Sequence, residues 1–362
     1  MNDRSDTERL LRHWFDDGPT TMPDRVVDVV VTRIARQPQR RGWRLPWRVR
    51  PVNGYPKLAA AAAAVLAIAV VGFVAVPRFV AQFGTPKPLF EIVARYDWAS
   101  LGLSRPVDLA IAPNGDLYVT ESGDRVAEIT PSGSVVRQWG STGSDPGQFD
   151  FNGLQADNGA YASIAVGPDG RVYVSDSDNH RVQVFASDGT FIRQFGSDGF
   201  GRGQFRLAYD LTVDASGNVY VLDDVLLHLT KFGPGGEVLW ITSGLNDPAL
   251  TGHGHGIHVD AQGRLVYGND DNGRVIYLDM NGSLVDSFAA GACDVSGDAA
   301  GNIYMGGCGS ADIKVYNPAH ALIGTWTGAA LSEAPAFGPG DEVFGLDREG
   351  NILRLRVNLP AR

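Results

Sequence analysis

Acidic side chains recur at two matching positions of a repeated sequence unit, a pattern that could bind cations. Asp108, Asp210 and Asp294 each open a predicted first strand, and a second set closes the strand that follows. The second set comprises Glu121, Asp176, Asp223 and Asn269. If the repeated units close into a ring, these carboxylate and amide oxygens would lie together at one opening of the ring, where they would suit a hard cation or a basic peptide. Alternatively, these short side chains bond to backbone N–H groups of the turns that follow them.

Two histidines, His255 and His258, lie beside these acidic positions in the fourth unit. Imidazole nitrogen and carboxylate oxygen are typical zinc ligands, so Asp210, His255 and Asp294 are the candidate metal ligands. The histidines of this glycine-rich loop match no standard zinc motif, and a structural or solvent-exposed role is the alternative. No obligatory cofactor is indicated, and calcium or zinc is the ion that such a site would take.

The units that carry these residues are spaced like the blades of a β-propeller. Their hairpin glycines lie 55, 47, 46 and 38 residues apart, at Gly115, Gly170, Gly217, Gly263 and Gly301. Each unit reads as four short alternating strands joined by tight turns, and glycine supplies the positive φ that such turns require. This period predicts an all-β propeller.

A sixth unit is visible near the C-terminus but lacks its last strand. Residues Gly340 to Leu346 read as its second strand and Ile352 to Val357 as its third. The alternating segment Phe90 to Tyr96 precedes the first unit and has no unit of its own. We therefore predict that it completes the sixth blade and leaves no long unpaired edge. The predicted propeller spans residues 89–358, followed by a short tail at 359–362.

Two motifs connect the first units and carry a family resemblance. The chain has RQWG at 137–140 with GQF at 147–149, and RQFG at 193–196 with GQF at 203–205. Together with DNHRV at 178–182, these motifs resemble the NHL repeat, most clearly in the first two units. The resemblance implies a six-bladed propeller that binds proteins, peptides, nucleic acids or small ligands, with a minority of enzymes.

Enzymatic six-bladed propellers supply the alternative function. Lactonases of the gluconolactonase and regucalcin kind, and peptidylglycine amidating lyases, hold a metal at this same mouth, and Asp108, Asp210, His255 and Asp294 are of suitable type. The Pro-Asn-Gly and Pro-Asp-Gly elements that open the first strands of the lactonases do not occur at the openings of the first strands here. A ligand- or protein-binding sensor or scaffold module is therefore the primary expectation, and a metal-dependent lactonase, hydrolase or lyase is the alternative.

An apolar run divides the chain into a basic leader and an acidic remainder. Residues 58–76 contain no charge, and nineteen residues nearly span a hydrocarbon layer of about 30 Å. Residues 1–57 hold 12 Lys and Arg against 7 Asp and Glu, whereas residues 77–362 hold 19 against 34. We predict a transmembrane helix at 58–76, which contacts the lipid bilayer, and a linker at 77–88. A buried alanine-rich helix or a cleaved signal peptide is the alternative.

The charge distribution orients the predicted span. Arginines cluster before it, so the N-terminus is expected in the cytoplasm and the propeller outside it, in a single-pass membrane protein. The leader, residues 1–57, reads as two short helices that serve as a tether or dock a cytoplasmic signalling partner. The acidic propeller is not expected to bind nucleic acid, because that needs a basic face.

The two cysteines, Cys293 and Cys308, flank the hairpin of the fifth unit. They lie opposite each other about the hairpin centre, so antiparallel pairing would bring them near disulfide distance. An exported domain permits such a bond. Two buried free thiols are the alternative.

Overall fold

The computed structural model describes residues 88–151, 161–243, 253–269, 271–291, 294–306, 312–328, 331–340 and 342–359. These residues form six antiparallel four-stranded sheets. Blade 1 contains β2 (Pro106–Ile111), β3 (Leu117–Glu121), β4 (Arg125–Ile129) and β5 (Val135–Trp139). Blade 2 contains β6 (Ile164–Val166), β7 (Val172–Asp176), β8 (Arg181–Phe185) and β9 (Phe191–Phe195). Blade 3 contains β10 (Ala208–Val213), β11 (Val219–Asp223), β12 (His228–Phe232) and β13 (Val238–Ser243).

Blades 4 to 6 repeat the arrangement. Blade 4 contains β14 (Gly254–Val259), β15 (Leu265–Asn269), β16 (Arg274–Leu278) and β17 (Leu284–Ala289). Blade 5 contains β18 (Asp294–Gly297), β19 (Ile303–Gly306), β20 (Ile313–Tyr316) and β21 (Leu322–Trp326). Blade 6 contains β22 (Ala336–Phe337), β23 (Val343–Leu346) and β24 (Ile352–Val357), together with β1 (Phe90–Tyr96). The six-bladed all-β architecture is therefore confirmed.

The sixth blade is closed by the N-terminal strand, as the sequence predicts. The order of strands is β1-β24-β23-β22, and β1 pairs antiparallel with β24 from Phe90 opposite Val357 to Tyr96 opposite Ile352. Phe90 is buried and stacks on Trp326 of blade 5, with ring centroids 4.8 Å apart. The first strand of this blade, β22, has only two residues. The second begins at Val343 rather than Gly340, because Gly340 has a φ of +69° and lies in the preceding turn.

The hydrophobic core of the propeller lies between neighbouring blades. One cluster of buried side chains joins Tyr118 and Val126 of blade 1 to Val172, Val174 and Phe185 of blade 2. Equivalent clusters join each of the other adjacent pairs around the ring, including blades 6 and 1. Each blade thus buries both of its faces, as stacked repeats must, and only the outermost strands alternate towards solvent.

The paired RQ(W/F)G and GQF motifs fold into one packed connection between blades. Gly196 has a φ of +96°, and a Cβ placed on it would lie 2.6 Å from the ring of buried Phe205. The same contact links Gly140, with a φ of +100°, to Phe149. Because only glycine fits under the ring at this backbone conformation, the motif keeps glycine there.

The predicted leader and membrane segment, residues 77–87 of the predicted linker and both cysteines lie outside the described residues. In the part of the chain that the structure describes, no helix is long and apolar enough to cross a membrane.

Candidate functional site: the mouth of the central channel

The first strands of the six blades surround a central channel with a volume of about 590 Å³. Each strand brings to it a residue seven positions before a hairpin glycine. In blade order these residues are Asp108, Ser163, Asp210, Gly256, Asp294 and Glu333. Of the described residues that line the channel, none is lysine or arginine. A concave site with a few convergent polar groups of one sign is the preferred place to look for a ligand.

Three aspartates join alternate blades to their neighbours. Asp108 of blade 1 accepts a hydrogen bond from the backbone N–H of Ile164 in blade 2 at 2.9 Å. Asp210 of blade 3 accepts one from Ile257 of blade 4 at 2.8 Å. Asp294 of blade 5 accepts one from the backbone N–H of Ala334 in blade 6. We call these three aspartates the clasp aspartates, because each uses an oxygen to hold the next first strand in place.

The residues between the clasp aspartates fit around them. Ser163 of blade 2 donates its hydroxyl to Asp210 Oδ1 at 2.5 Å, and the backbone N–H of Leu211 donates to the same oxygen at 2.7 Å. Gly256 of blade 4 has a φ of +119°, and a Cβ there would lie 2.1 Å from Asp294 Oδ1. Blade 4 therefore carries glycine because the Asp294 carboxylate occupies the space of a side chain.

Glu333 occupies the same position in blade 6 but makes no comparable contact. Within the described residues its carboxyl takes part in no hydrogen bond or ion pair that the structure records. Burial raises the pKa of this carboxyl well above its usual range, and repulsion by Asp108, Asp294 and Asp210 adds to the effect. The side chain is one methylene longer than the clasp aspartates, and its carboxyl is not used to join blades.

The clasp aspartates are also weaker acids than usual. Burial raises the pKa of Asp210 to about 6 and that of Asp108 to about 7, where repulsion by Asp210 contributes. Burial, with added repulsion from Asp210 and Asp108, raises the pKa of Asp294 to about 8. Carboxylates that share one enclosed space cannot all ionise together, so the channel retains protons at neutral pH.

Three rings from successive blades form an aromatic arc at the mouth, comprising Tyr161, Tyr209 and His255. The Tyr209 ring lies 5.5 Å from Tyr161 and 5.1 Å from His255, the second contact being edge-to-face. The Tyr209 hydroxyl shares a hydrogen bond of 2.8 Å with His255 Nδ1. Burial and the charge of Glu333 raise the pKa of Tyr209, so its phenol stays protonated.

The second set of predicted acidic residues does not line the channel. Asp223 accepts the backbone N–H groups of Arg206 at 2.7 Å and Leu226 at 2.8 Å, tying a connection between blades to a turn. Asp176 similarly accepts the N–H of Asp150 at 2.8 Å. Glu121, Asp176, Asp223 and Asn269 are all fully buried. Residues that end a second strand lie one strand away from the channel, and these four bond to turns and connections instead.

The two predicted histidines have different surroundings. His255 belongs to the aromatic arc, whereas His258 lies deeper along the channel wall against Gly297 of blade 5. Burial lowers the pKa of His258 to about 4, so its imidazole is neutral.

The predicted metal ligands Asp210, His255 and Asp294 all line the channel. Both oxygens of Asp210 accept N–H or O–H groups, and His255 Nδ1 is bonded to Tyr209. Across the described ranges, no group of three or more His, Cys, Asp or Glu side chains is arranged to hold a metal ion. The structure therefore offers this prediction no ligand cluster within those ranges.

Comparison with known proteins agrees with the fold. The NHL repeat family matches residues 162–185, which lie in blade 2. The protein is a six-bladed propeller that contains an NHL repeat. No curated protein matches its sequence.

Three solved structures similar to this propeller are described as lyases. Selenomethionine-substituted virginiamycin B lyase from Staphylococcus aureus is 14% identical with a TM-score of 0.51, covering 70% of this chain and 80% of that chain. A streptogramin B lyase is 13% identical with a TM-score of 0.52, covering 74% and 98%. A catalytically inactive histidine-to-alanine variant of the S. aureus enzyme with quinupristin is 16% identical with a TM-score of 0.51, covering 70% and 80%. At such identities the likeness shows the fold alone.

Proposed function

We propose that the protein is a recognition module that binds its ligand at the mouth of the central channel. We further propose that residues 58–76 anchor it in a membrane with the propeller outside the cytoplasm. The observation that supports the binding role is the channel itself. It is enclosed by the first strands of six blades, its charged lining residues are aspartate and glutamate, and the aromatic arc borders its mouth. The clasp aspartates hold the rim in place, so the site is formed before a ligand arrives.

A ligand panel with the full-length protein in detergent tests this role. The panel contains organic cations, organic anions, neutral sugars and short peptides, each scored by the rise in melting temperature that binding produces. We expect at least one class to stabilise the protein, and Tyr209→Leu to abolish the rise. Ile192→Ala is the matched control, because Ile192 lies on the outer strand β9, away from the channel. Failure of every class to bind would contradict the proposal.

A lyase or hydrolase is the second candidate, favoured by the hydrogen-bonded pair of Tyr209 and His255 beside Asp210. A half-buried histidine held by a phenol at a channel mouth is suited to transfer protons. One similar structure is described as a catalytically inactive histidine variant with quinupristin. The test is incubation of the protein with quinupristin and with simple lactones, followed by chromatography and mass spectrometry.

The product mass identifies the reaction. Elimination opens a ring without changing its mass, whereas hydrolysis adds one water. Turnover that is lost in His255→Gln would establish the enzymatic alternative. Absence of turnover with both substrate types would favour recognition.

A further inference from the structure

Glu333 is the one channel carboxyl that the described structure does not use. The clasp aspartates accept backbone N–H groups from neighbouring blades, whereas Glu333 accepts none within the described residues. The side chain of Glu333 is partly buried, and a partly buried carboxyl with no recorded partner is available to a ligand that enters the channel. Its repulsion with all three clasp aspartates makes it costly to the folded state, which is a frequent property of functional groups.

The aromatic arc lies across the channel from this carboxyl. Tyr209 precedes the clasp aspartate of blade 3, and Glu333 precedes β22 of blade 6, the opposite blade of the ring. Tyr209 and Glu333 both line the channel, and among charged groups Glu333 has the largest effect on the pKa of Tyr209. A ligand at the mouth would therefore contact aromatic rings on one side and a free carboxyl on the other.

This pairing of groups selects for a particular kind of cation. Aromatic faces attract cations, and a carboxylate neutralises their charge. Primary ammonium and guanidinium groups bring several N–H donors that each require an acceptor. The oxygens of Asp210 already accept N–H and O–H groups. Asp108 and Asp294 also accept backbone N–H groups. The two oxygens of Glu333 are fewer than the three donors of a primary ammonium or the five donors of a guanidinium, so a cation with no N–H donor fits best.

We propose that the channel mouth binds a quaternary ammonium group, held between the aromatic arc and the Glu333 carboxylate. This inference rests on the proposed recognition function and names its ligand class. Binding releases a proton: Glu333 gives up the proton of its carboxyl, the ionised oxygen pairs with the cation, and the proton passes to the solvent. The total charge of the channel is unchanged by the exchange.

The groups around Glu333 permit this exchange. Those that act on its carboxyl are Asp108, Asp210 and Asp294 from the clasp and Arg105 near blade 1. Of these four residues, Arg105 is the one that favours ionisation, and its side chain is exposed. His255 and the Tyr209 phenol complete the opposite side, and His258 farther along the wall is neutral. A bound cation would favour the ionised form of the Glu333 carboxyl. The affinity for the cation should therefore rise between pH 6 and pH 8, because the cation and the proton compete for this carboxyl.

Isothermal titration calorimetry of the full chain in detergent tests the proposal with choline as the probe. The control ligand is 3,3-dimethylbutan-1-ol, which has the shape of choline without its charge. We expect one choline site per chain at pH 8 and at least tenfold weaker binding of the neutral analogue. Titrations in buffers of different ionisation enthalpy should reveal proton release in the unsubstituted protein.

Three substitutions locate the site. Glu333→Gln should weaken choline binding at least tenfold and abolish proton release. Tyr209→Leu should weaken it similarly, whereas Tyr209→Phe, which keeps the ring, should change the affinity less than threefold. If Glu333→Gln does not fold by circular dichroism, Tyr161→Leu and the comparison of the two Tyr209 variants decide the question.

The results separate this inference from the function on which it rests. Equal affinity for choline and its neutral analogue, or unchanged affinity in Glu333→Gln, would overturn the ammonium site. If neutral or anionic panel ligands then bind and lose affinity in Tyr209→Leu, channel recognition stands and only the ligand class is wrong. If no class binds, both proposals fail.

Discussion

At the scale of residues, the channel carboxyls make the stability of the propeller depend on pH. Asp210, Asp108 and Asp294 have pKa values of about 6, 7 and 8 in the folded protein, above the ordinary value of 3.8. The folded state therefore keeps protons that the unfolded chain releases. By linkage, the stabilisation that these three protonated carboxyls give the folded state is fully present below about pH 4 and is lost as the pH rises towards 8. Urea unfolding at pH 5 and pH 8 should show the protein less stable at pH 8.

Glu333→Gln should change this dependence in a defined way. Glutamine removes a carboxyl that joins no blades in the described structure and whose raised pKa makes the folded state hold a proton that the unfolded chain releases. We expect the variant to match the parent at pH 5 and to exceed its free energy of unfolding at pH 8 by on the order of 1 kcal/mol. Asp210→Asn is the contrasting variant, because an amide N–H₂ would face donors from Ile257 or Ser163. It should destabilise at both pH values by about 1–3 kcal/mol.

Sequence alone locates some of these residues and not others. Asp108, Asp210 and Asp294 are found because each opens a predicted first strand. Glu333 is not selected in this way, because its seven-residue offset from Gly340 matches theirs only once the structure places Gly340 in a turn. Sequence does not reveal that, of the channel carboxyls in the described ranges, Glu333 is the one without a hydrogen-bond donor from a neighbouring blade, because such donors come from a different repeat. Tyr161 and Tyr209 carry no repeat signal, since they meet only when two blades come together.

At the scale of elements, the ring is closed by the pairing of β1 with β24. Phe90→Ala should cost about 3–5 kcal/mol of unfolding free energy, because Phe90 is buried between Trp326 and Tyr304. Val93→Ala is the matched control on the same strand, where the side chain is 45% exposed, and should cost under about 1 kcal/mol. Equal losses in the two variants, measured by urea unfolding, would show that closure does not depend on this contact.

The connections between blades depend on glycines that pack under aromatic rings. Gly196→Ala forces a Cβ against Phe205 at a positive φ, whereas Gly170→Ala meets no atom within 4 Å at a φ of +79°. Both substitutions carry the backbone cost of about 1 kcal/mol, and only Gly196→Ala adds displacement of a buried ring. Its melting temperature should therefore fall clearly below that of Gly170→Ala. Similar melting temperatures would contradict the packing account of the motif.

Strand closure could be predicted because the sixth unit visibly lacks one strand and one alternating segment had no unit. The contacts of the acidic residues that end the second strands could not be predicted from the sequence. Glu121 and Asp223 end strands at the same face as the channel mouth, and sequence position does not tell whether a side chain turns towards the channel or into the neighbouring turn. The structure shows the second outcome, with both side chains fully buried.

At the scale of the whole molecule, the membrane anchor at 58–76 stays a prediction that fractionation can test. The full chain should remain with membranes after alkaline carbonate extraction. Leu66→Arg combined with Ala69→Arg places two charges near the middle of the apolar run and should release the protein. Extraction of the unsubstituted chain by carbonate would contradict the anchor. Digestion of the propeller by external protease in intact cells would support its predicted side.

The position of a bound ligand decides between recognition at the channel mouth and a site elsewhere on the propeller. The most direct measurement is a crystal structure of the protein at pH 8 with saturating choline. We predict density for the trimethylammonium group between the Glu333 carboxylate and the ring of Tyr209. Choline bound at a position away from the channel, or a channel that holds only water at saturation, would contradict the account.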